Sequence, residues 1–331
     1  VVGVERGPAL LTAEVSSRFY KLAKGRAHKK YSTIKMPGAA ASRSQGELEQ
    51  DTYSCQQYMH DEAVDRGEAA MFGSFVQADR IAADNVFHVL MRELNAAVLA
   101  ACINNTNFPL SGNTGLTVSN VWNGASGTPI TDMNTAREAF RARGAPPPNL
   151  LVISEKCYDG LGSNPEIIGR IKYVSGAVVN GLLTIEALQA ALDIERIVVD
   201  RSRVNTANDG LSAVLSPQLA VGAAFLAHVS KEQSTREWQL GRTFVYTGKT
   251  GGLFGARMYE SNEVDADVVR GEMWYDPKLI STDCGFQFAS VASCSMHPTG
   301  GPQGPAETVR PCVTSTGALC LLSPAPLVRR T

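Results

Sequence analysis

Thr247-Gly248-Lys249-Thr250 holds the residue types that end a phosphate-binding loop: a glycine for close backbone approach, a lysine for phosphate charge and a hydroxyl for a metal ion. The full pattern needs a glycine five residues before Gly248, and position 243 is threonine. Gly251-Gly252-Leu253-Phe254-Gly255 then leads into more strand-like sequence, so the plain reading is a hairpin turn. His28, His60, His88, His228 and His297 form no H-x-x-x-H or H-x-x-E pair, which favours structural or surface roles over a helical metal site. Cys157 with a distant histidine has the makings of a nucleophilic pair, but no local signature surrounds it, and a small buried side chain on a helix is the simpler reading. The seven cysteines, Cys55, Cys102, Cys157, Cys284, Cys294, Cys312 and Cys320, are widely spaced and contain no C-x-x-C pair. Reduced thiols, as in a cytoplasmic protein, are expected in place of a zinc site or disulfide framework. No catalytic residue, metal site or cofactor is predicted.

What the sequence does concentrate is charge. Residues 15–46 carry Arg18, Lys21, Lys24, Arg26, Lys29, Lys30, Lys35 and Arg43 and no acid. Residues 47–68 carry Glu47, Glu49, Asp51, Asp61, Glu62, Asp65 and Glu68, with Arg66 as their one base. The small-residue stretch Met36–Ser42 lies between, flanked by strand-compatible Tyr31–Ile34 and Thr52–Cys55. This predicts a long two-armed excursion, one arm basic and one acidic, with too few large apolar residues for a core of its own. Three readings of the basic arm stand. It binds phosphate backbones, with Phe19, Tyr20 and Tyr31 interleaved among the bases; it is a solvated hairpin without a partner; or it meets an acidic surface on a neighbouring copy. Charge alone places the last two level and the first behind them.

The elements that must hold this excursion follow from periodicity. Ile81, Val86, Val89, Leu90, Leu94, Ala97, Val98, Ala101 and Cys102 recur at three- and four-residue steps and predict one helix over 79–104, spanning roughly 40 Å at 1.5 Å per residue. Thr131–Asn134 offers a cap for a shorter helix ending at Gly144, and Ala145-Pro146-Pro147-Pro148 marks a boundary. Beyond it α/β alternation is expected: strand Asn149–Ser154, helices Glu155–Leu161, Pro165–Tyr173 and Thr184–Leu192, and strand Ile194–Asp200. Strand-like segments then run through Leu219–Val229, Arg236–Tyr246, Ala256–Tyr259, Val264–Tyr275 and Phe286–Ala292. The last 38 residues, 294–331, hold six prolines and three cysteines and predict an irregular tail, ordered only against a partner if at all.

The whole chain has 331 residues, which at roughly 150 per domain suggests about two domains. Its 44% hydrophobic and 19% charged residues exclude disordered and fibrous classes. A net charge of −1 argues against a surface that coats nucleic acid throughout. The longest apolar stretch, near Leu219–Ala227, is far short of the roughly 18 residues of a membrane span. Val1–Arg6 lacks signal-peptide features and an initiator methionine, consistent with trimming, maturation or a missing start.

Arg18-Phe19-Tyr20-Lys21, the basic arm and Asp51–Glu62 together resemble the extended loop of tailed-bacteriophage major capsid proteins with the Hong Kong 97-like fold. The helix at 79–104 is similar to that fold's spine helix; Asn149–Ser154, Asn164–Tyr173 and Ile194–Asp200 are similar to its axial domain, and Val268–Ile280 to a late peripheral strand. The resemblance covers roughly 15–293 and implies an α+β fold. Its parts would be an N-terminal arm (1–17), an extended β-hairpin loop (18–62), a peripheral domain (63–147 and 257–282), an axial domain (148–256 and 283–293) and the tail. It implies a self-assembling icosahedral shell of hexamers and pentamers around double-stranded DNA, which touches one inner face non-specifically. Scaffolding, portal and decoration proteins are the implied partners, the virion capsid assembled in host cytoplasm the implied location, and neither a membrane nor a cofactor is implied. The expected inter-subunit residues are Arg18, Lys21, Lys24, Arg26, Lys29, Lys30, Lys35, Arg43, Glu47, Glu49, Asp51, Asp61 and Glu62. Some relatives crosslink copies through a Lys–Asn bond; Lys24, Lys29, Lys30 or Lys35 could supply the amine, but no Asn–carboxylate pair maps, and no crosslink is expected. The tail departs from the family pattern and is expected to contact another subunit or a decoration protein. The runner-up is an encapsulin-type compartment of the same fold; a rival of another class is an α/β enzyme using Gly248-Lys249-Thr250 or Cys157.

Overall fold

Ala82, Val86, Leu90 and Leu94 share one side of a helix, and in the computed structural model they are the buried stripe of α1, Ala78–Cys102. The structure describes residues 9–22, 28–30, 34, 37–38, 48–65, 67, 78–171, 178–179, 182–208, 210–232, 234–261 and 266–293. The expected tail, 294–331, and the expected strand residues 31–33 lie outside the described residues. Helix α1 stops where Asn104 closes a turn: its Oδ1 accepts from Thr106 N at 2.8 Å, and Asn107 Nδ2 donates to the helix carbonyl of Ala101 at 3.1 Å.

The strands are β1 (Leu10–Thr12), β2 (Ser16–Leu22), β3 (Leu48–Ser54), β4 (Gln56–Asp65), β5 (Gly115–Thr117), β6 (Leu150–Ser154), β7 (Val178–Val179), β8 (Leu182–Leu183), β9 (Arg196–Asp200), β10 (Arg203–Asn205), β11 (Leu215–Pro217), β12 (Ala224–Ala227), β13 (Gly241–Tyr246), β14 (Gly255–Ser261), β15 (Ala266–Leu279) and β16 (Gly285–Ala289). The further helices are α2 (Pro129–Ala142), α3 (Glu155–Gly162), α4 (Pro165–Ile171) and α5 (Ile185–Leu192).

Two five-stranded sheets carry the fold. The first runs β1-β13-β15-β14, with β4 also paired to β15; the second runs β5-β16-β12-β6-β9. Helix α1 lays Val86, Leu90 and Leu94 on Val245, Met273 and Tyr275 of the first sheet. Its last turns, through Leu99 and Cys102, meet Leu150, Val152 and Phe225 on one face of the second sheet. The other face of that sheet presents Leu151, Ile153, Leu226, Phe286 and Phe288 to α2–α5, around fully buried Trp122 and Phe140. Alternate residues of β6 and β12 thus enter different cores, as period-two pleating requires. Each large side chain so buried stabilises the fold by about 1.5–3 kcal/mol.

The mixed α+β class matches expectation, and three segments have partners that the sequence did not indicate. Residues 56–62, expected in the loop, pair with β15 from Tyr275↔Gln56 to Ala266↔Asp65. Helix α2, expected with the peripheral elements, packs Met133, Ala136 and Phe140 on the second sheet. Strand β13, expected with the axial elements, pairs with β15 in the first sheet. Helix α2 also begins earlier than Thr131: the side chain of Thr128 makes no cap bond, and Glu166 of α4 accepts from Ile130 N at 3.0 Å instead. Its end at Gly144, φ +71°, is as expected.

Candidate inter-subunit surface

Strands β2 and β3 form an antiparallel hairpin stem, in register from Ser16↔Ser54 to Leu22↔Leu48. Pleating divides its side chains. Phe19, Lys21, Glu49, Asp51 and Tyr53 share one face, and Arg18, Tyr20, Gln50 and Thr52 the other. The first face is seated on the body. Phe19 and Tyr53 are buried against Phe244 of β13, with ring centroids 5.1 and 4.3 Å away, and Cys55 Sγ reaches the Phe244 carbonyl at 3.7 Å. Burial pushes the Cys55 thiol up to about 11. Thr235 Oγ1 donates to Tyr20 O at 3.0 Å, and Ser54 N donates to Asp276 Oδ2 at 2.9 Å, which fixes the stem at both strands.

The expected contact residues divide accordingly. Lys21 Nζ lies 3.5 Å from Asp51 and 3.8 Å from Glu49 across its own hairpin, and Lys278 Nζ lies 4.0 Å from Asp51. Asp61, on β4, binds Arg270 of β15 through both carboxylate oxygens, one at 2.7 Å, and accepts from Tyr259 OH at 3.0 Å. The Arg270 hydrogen bond holds the Asp61 carboxyl below its ordinary range. Glu62 accepts from Asn85 Nδ2 of α1 at 3.0 Å. Antiparallel pairing of β2 and β3 brings Lys21 to Glu49 and Asp51, whereas Asp61 and Glu62, on β4, meet Arg270 and Asn85 and not the basic arm. Arg18, Lys29 and Lys30 are exposed. Lys24, Arg26, Lys35, Arg43 and Glu47 lie outside the described residues.

Spacing alone missed a polar network on the face of β4-β15-β14 opposite α1. Nearly buried Glu272 accepts from Gln57 at 2.6 Å, from Trp274 Nε1 at 2.5 Å and from Arg257 at 2.7 Å. Burial raises its carboxyl, but these bonds outweigh burial and hold it below its ordinary value. The alternation Val268, Arg270, Glu272, Trp274 was the available signal.

The other chemical candidates resolve as structure. Thr247–Thr250 is a turn, but not a hairpin turn, because β15 lies between β13 and β14. Lys249 sits 5.2 Å over the Trp274 ring, and Thr250 Oγ1 donates to Gly252 O at 2.6 Å. Cys157 is fully buried, which pushes its thiol up to about 12. His28 packs 5.6 Å from Trp238, His228 Nδ1 lies 2.7 Å from Pro147 O, His60 faces Gly271 in the ladder, and His88 neighbours Phe87. His297 lies outside the described residues. Among the described residues there is no group of three or more His, Cys, Asp or Glu able to hold a metal, and no helix long and apolar enough to cross a membrane.

No protein-family model matches the chain. A phage-related protein from Bordetella bronchiseptica superposes with a TM-score of 0.66 at 19% identity, over 88% of this chain and 92% of that one. The capsid structure of cyanophage P-SCSP1u superposes with a TM-score of 0.55 at 12% identity, over 88% and 89%. The chain has the Hong Kong 97-like capsid fold. In sequence it is 23% identical over 203 residues to the major capsid protein of Burkholderia phage BcepMu. That match takes in 61% of this chain and 62% of the relative, so the chain spans less than two thirds of the curated relative's length. The β2–β3 stem is a two-stranded sheet outside the two five-stranded ones, and Phe19 and Tyr53 are the aromatic residues through which it is buried against Phe244.

Proposed function

We propose that this chain is the major capsid protein of a tailed bacteriophage, self-assembling as hexamers and pentamers into the icosahedral shell that encloses double-stranded DNA. The observation that carries the reading is the sequence likeness to a phage major capsid protein in a chain with the capsid fold. In this reading β2–β3 is the root of the extended loop, the first sheet with α1 is the peripheral domain, and the second sheet with α2–α5 is the axial domain. The loop lies over a neighbouring copy and brings Arg18, Lys29, Lys30 and the charges beyond Leu22 to it. Closed symmetry then covers every copy's loop at once. The chain acts as a structural protein without catalysis, placed in the virion, with scaffold, portal and DNA as partners during host-cytoplasmic assembly.

Expression of the chain with its neighbouring phage genes, followed by negative-stain microscopy, tests this. Uniform shells are expected, filled with DNA in the virion. Small oligomers under all those conditions overturn the reading, and shells that hold protein cargo in place of a genome transfer it to an encapsulin-type compartment.

A further inference from the structure

Strand β14 ends the path of the first sheet and, among the described residues, pairs with β15 alone, from Gly255↔Glu272 to Ser261↔Ala266. An open edge of this length is normally blunted by charged side chains, lysine above all, or by proline, a bulge or a covering element. Gly255-Ala256-Arg257-Met258-Tyr259-Glu260-Ser261 contains neither proline nor lysine; its two charges are of opposite sign, Arg257 and Glu260, and its pairing with β15 is unbroken through seven residues. Residues 256–260 are all exposed, Met258 at 56% and Tyr259 at 38%. Internal contacts already fix the edge: Arg257 is tied to Glu272 at 2.7 Å and Tyr259 OH to Asp61 at 3.0 Å. The edge is thus unbulged, exposed and partly apolar.

We propose that β14 is a docking edge for the β14 of a second copy, added antiparallel about a two-fold axis through Met258. The proposal rests on the self-assembly reading only in taking a second copy as occupant. The register follows from the strand itself. Residues directly opposite on an antiparallel ladder share a face, so the axis must pass through a residue and not between two. Centring on Arg257 sets Arg257 against itself, and centring on Glu260 sets Glu260 against itself; like charges directly opposite destabilise a pair. Centring on Tyr259 leaves Gly255 and Ala256 unpaired. Centring on Met258 pairs all seven residues of Gly255–Ser261. Met258 then meets the second copy's Met258, and Ala256 meets the second copy's Glu260. Arg257, tied to Glu272, then lies opposite the second copy's Tyr259, whose ring already carries Arg270 at 4.8 Å, twice over by symmetry.

Cysteine crosslinking in the full chain tests the register. Opposite Cα atoms on the ladder lie about 4.5–5.5 Å apart, within disulfide range. Met258→Cys, oxidised with diamide and run on a non-reducing gel, is expected to convert mostly to a covalent dimer. Ala256→Cys places its two copies about 13 Å apart, four strand steps, and is expected to stay single, as is the unchanged protein. Ala256→Cys mixed with Glu260→Cys is expected to give a dimer that neither gives alone, which keeps the test alive should Met258→Cys fail to fold by circular dichroism. Folded Met258→Cys that stays single, or Ala256→Cys that dimerises as fully, overturns the proposal. Micrographs of the unchanged protein separate the two readings. Shells without the Met258 crosslink overturn β14 pairing alone, and the crosslink in a protein that forms only small oligomers supports the pairing while counting against the shell.

Discussion

Tyr53 lies flat on Phe244, with ring centroids 4.3 Å apart and planes within 2° of parallel, and Phe19 from the facing strand leans on the same ring at 5.1 Å. One side chain of the first sheet therefore seats both strands of the hairpin stem. Phe244→Ala removes that seat and opens a cavity under both aromatics, with an expected cost of about 3–5 kcal/mol. Urea unfolding followed by tryptophan fluorescence should show the lower midpoint. Phe244→Leu, which keeps most of the volume, should lose clearly less, and equal losses in the two variants would show that the stacked ring and not the filled volume holds the stem.

Those rings also show where sequence reading succeeds and stops. The α1 stripe Ala82, Val86, Leu90, Leu94 was legible because helical burial repeats every three to four residues along one segment. The start of α2 was not, because its cap is a carboxylate from Glu166, 36 residues further on. The hairpin expected at Thr247–Thr250 failed for a related reason: β15, later in the chain, inserts between β13 and β14. The charged arms were legible as a one-dimensional pattern. Their register was not, since the pairing that sets Lys21 against Glu49 is fixed by Phe19 and Tyr53 finding Phe244 in a distant strand. Local periodicity survives into the fold, whereas contacts supplied by remote strands do not announce themselves.

Acid sensitivity should trace to the first sheet. The Asp61 and Glu272 carboxyls both lie below their ordinary values in the folded chain, Asp61 through the Arg270 bond and Glu272 through bonds from Trp274, Gln57 and Arg257 that outweigh its burial. A carboxyl with a lowered folded value contributes stability that is present above its unfolded value, about 4, and is lost as pH falls through the folded one. Asp61→Asn and Glu272→Gln should each flatten the fall in thermal midpoint below about pH 4. Midpoints measured from pH 7 to pH 3 check this, and a slope unchanged in both variants would place the acid-labile groups elsewhere.

Helix α1 approaches β15 so closely at Gly271 that an added Cβ would sit 2.2 Å from Val86 Cγ1. Gly271→Ala must push helix and sheet apart, and an overpacked core of this kind loses about 1–3 kcal/mol. Val86→Ala removes the obstructing methyl groups at its own cost of a buried side chain. The double variant should therefore be more stable than the sum of the two single losses predicts, because the two sites are in direct contact. Denaturation midpoints of the four proteins supply the cycle, and strict additivity would show that the helix does not rest on this glycine.

Glu166 holds two elements together at once. Its backbone nitrogen donates to Asn164 Oδ1 at 2.9 Å, which starts α4, while its carboxylate accepts from Ile130 N at 3.0 Å and from Thr131 Oγ1 at 3.4 Å, which starts α2. Loss of a side-chain acceptor at a helix start costs about 0.5–2 kcal/mol, and negative charge beside the positive end of the helix adds about 0.3–1 kcal/mol. Glu166→Ala should forfeit both contributions, whereas Glu166→Gln keeps an acceptor oxygen and forfeits the charge. The order of stability expected from urea midpoints is wild type, then Glu166→Gln, then Glu166→Ala. The gap between the first two should narrow in high salt, because charge at a helix end is screened while the acceptor bond is not. If Glu166→Gln were as unstable as Glu166→Ala at every salt concentration, the carboxylate charge and not the hydrogen bond would be what starts α2.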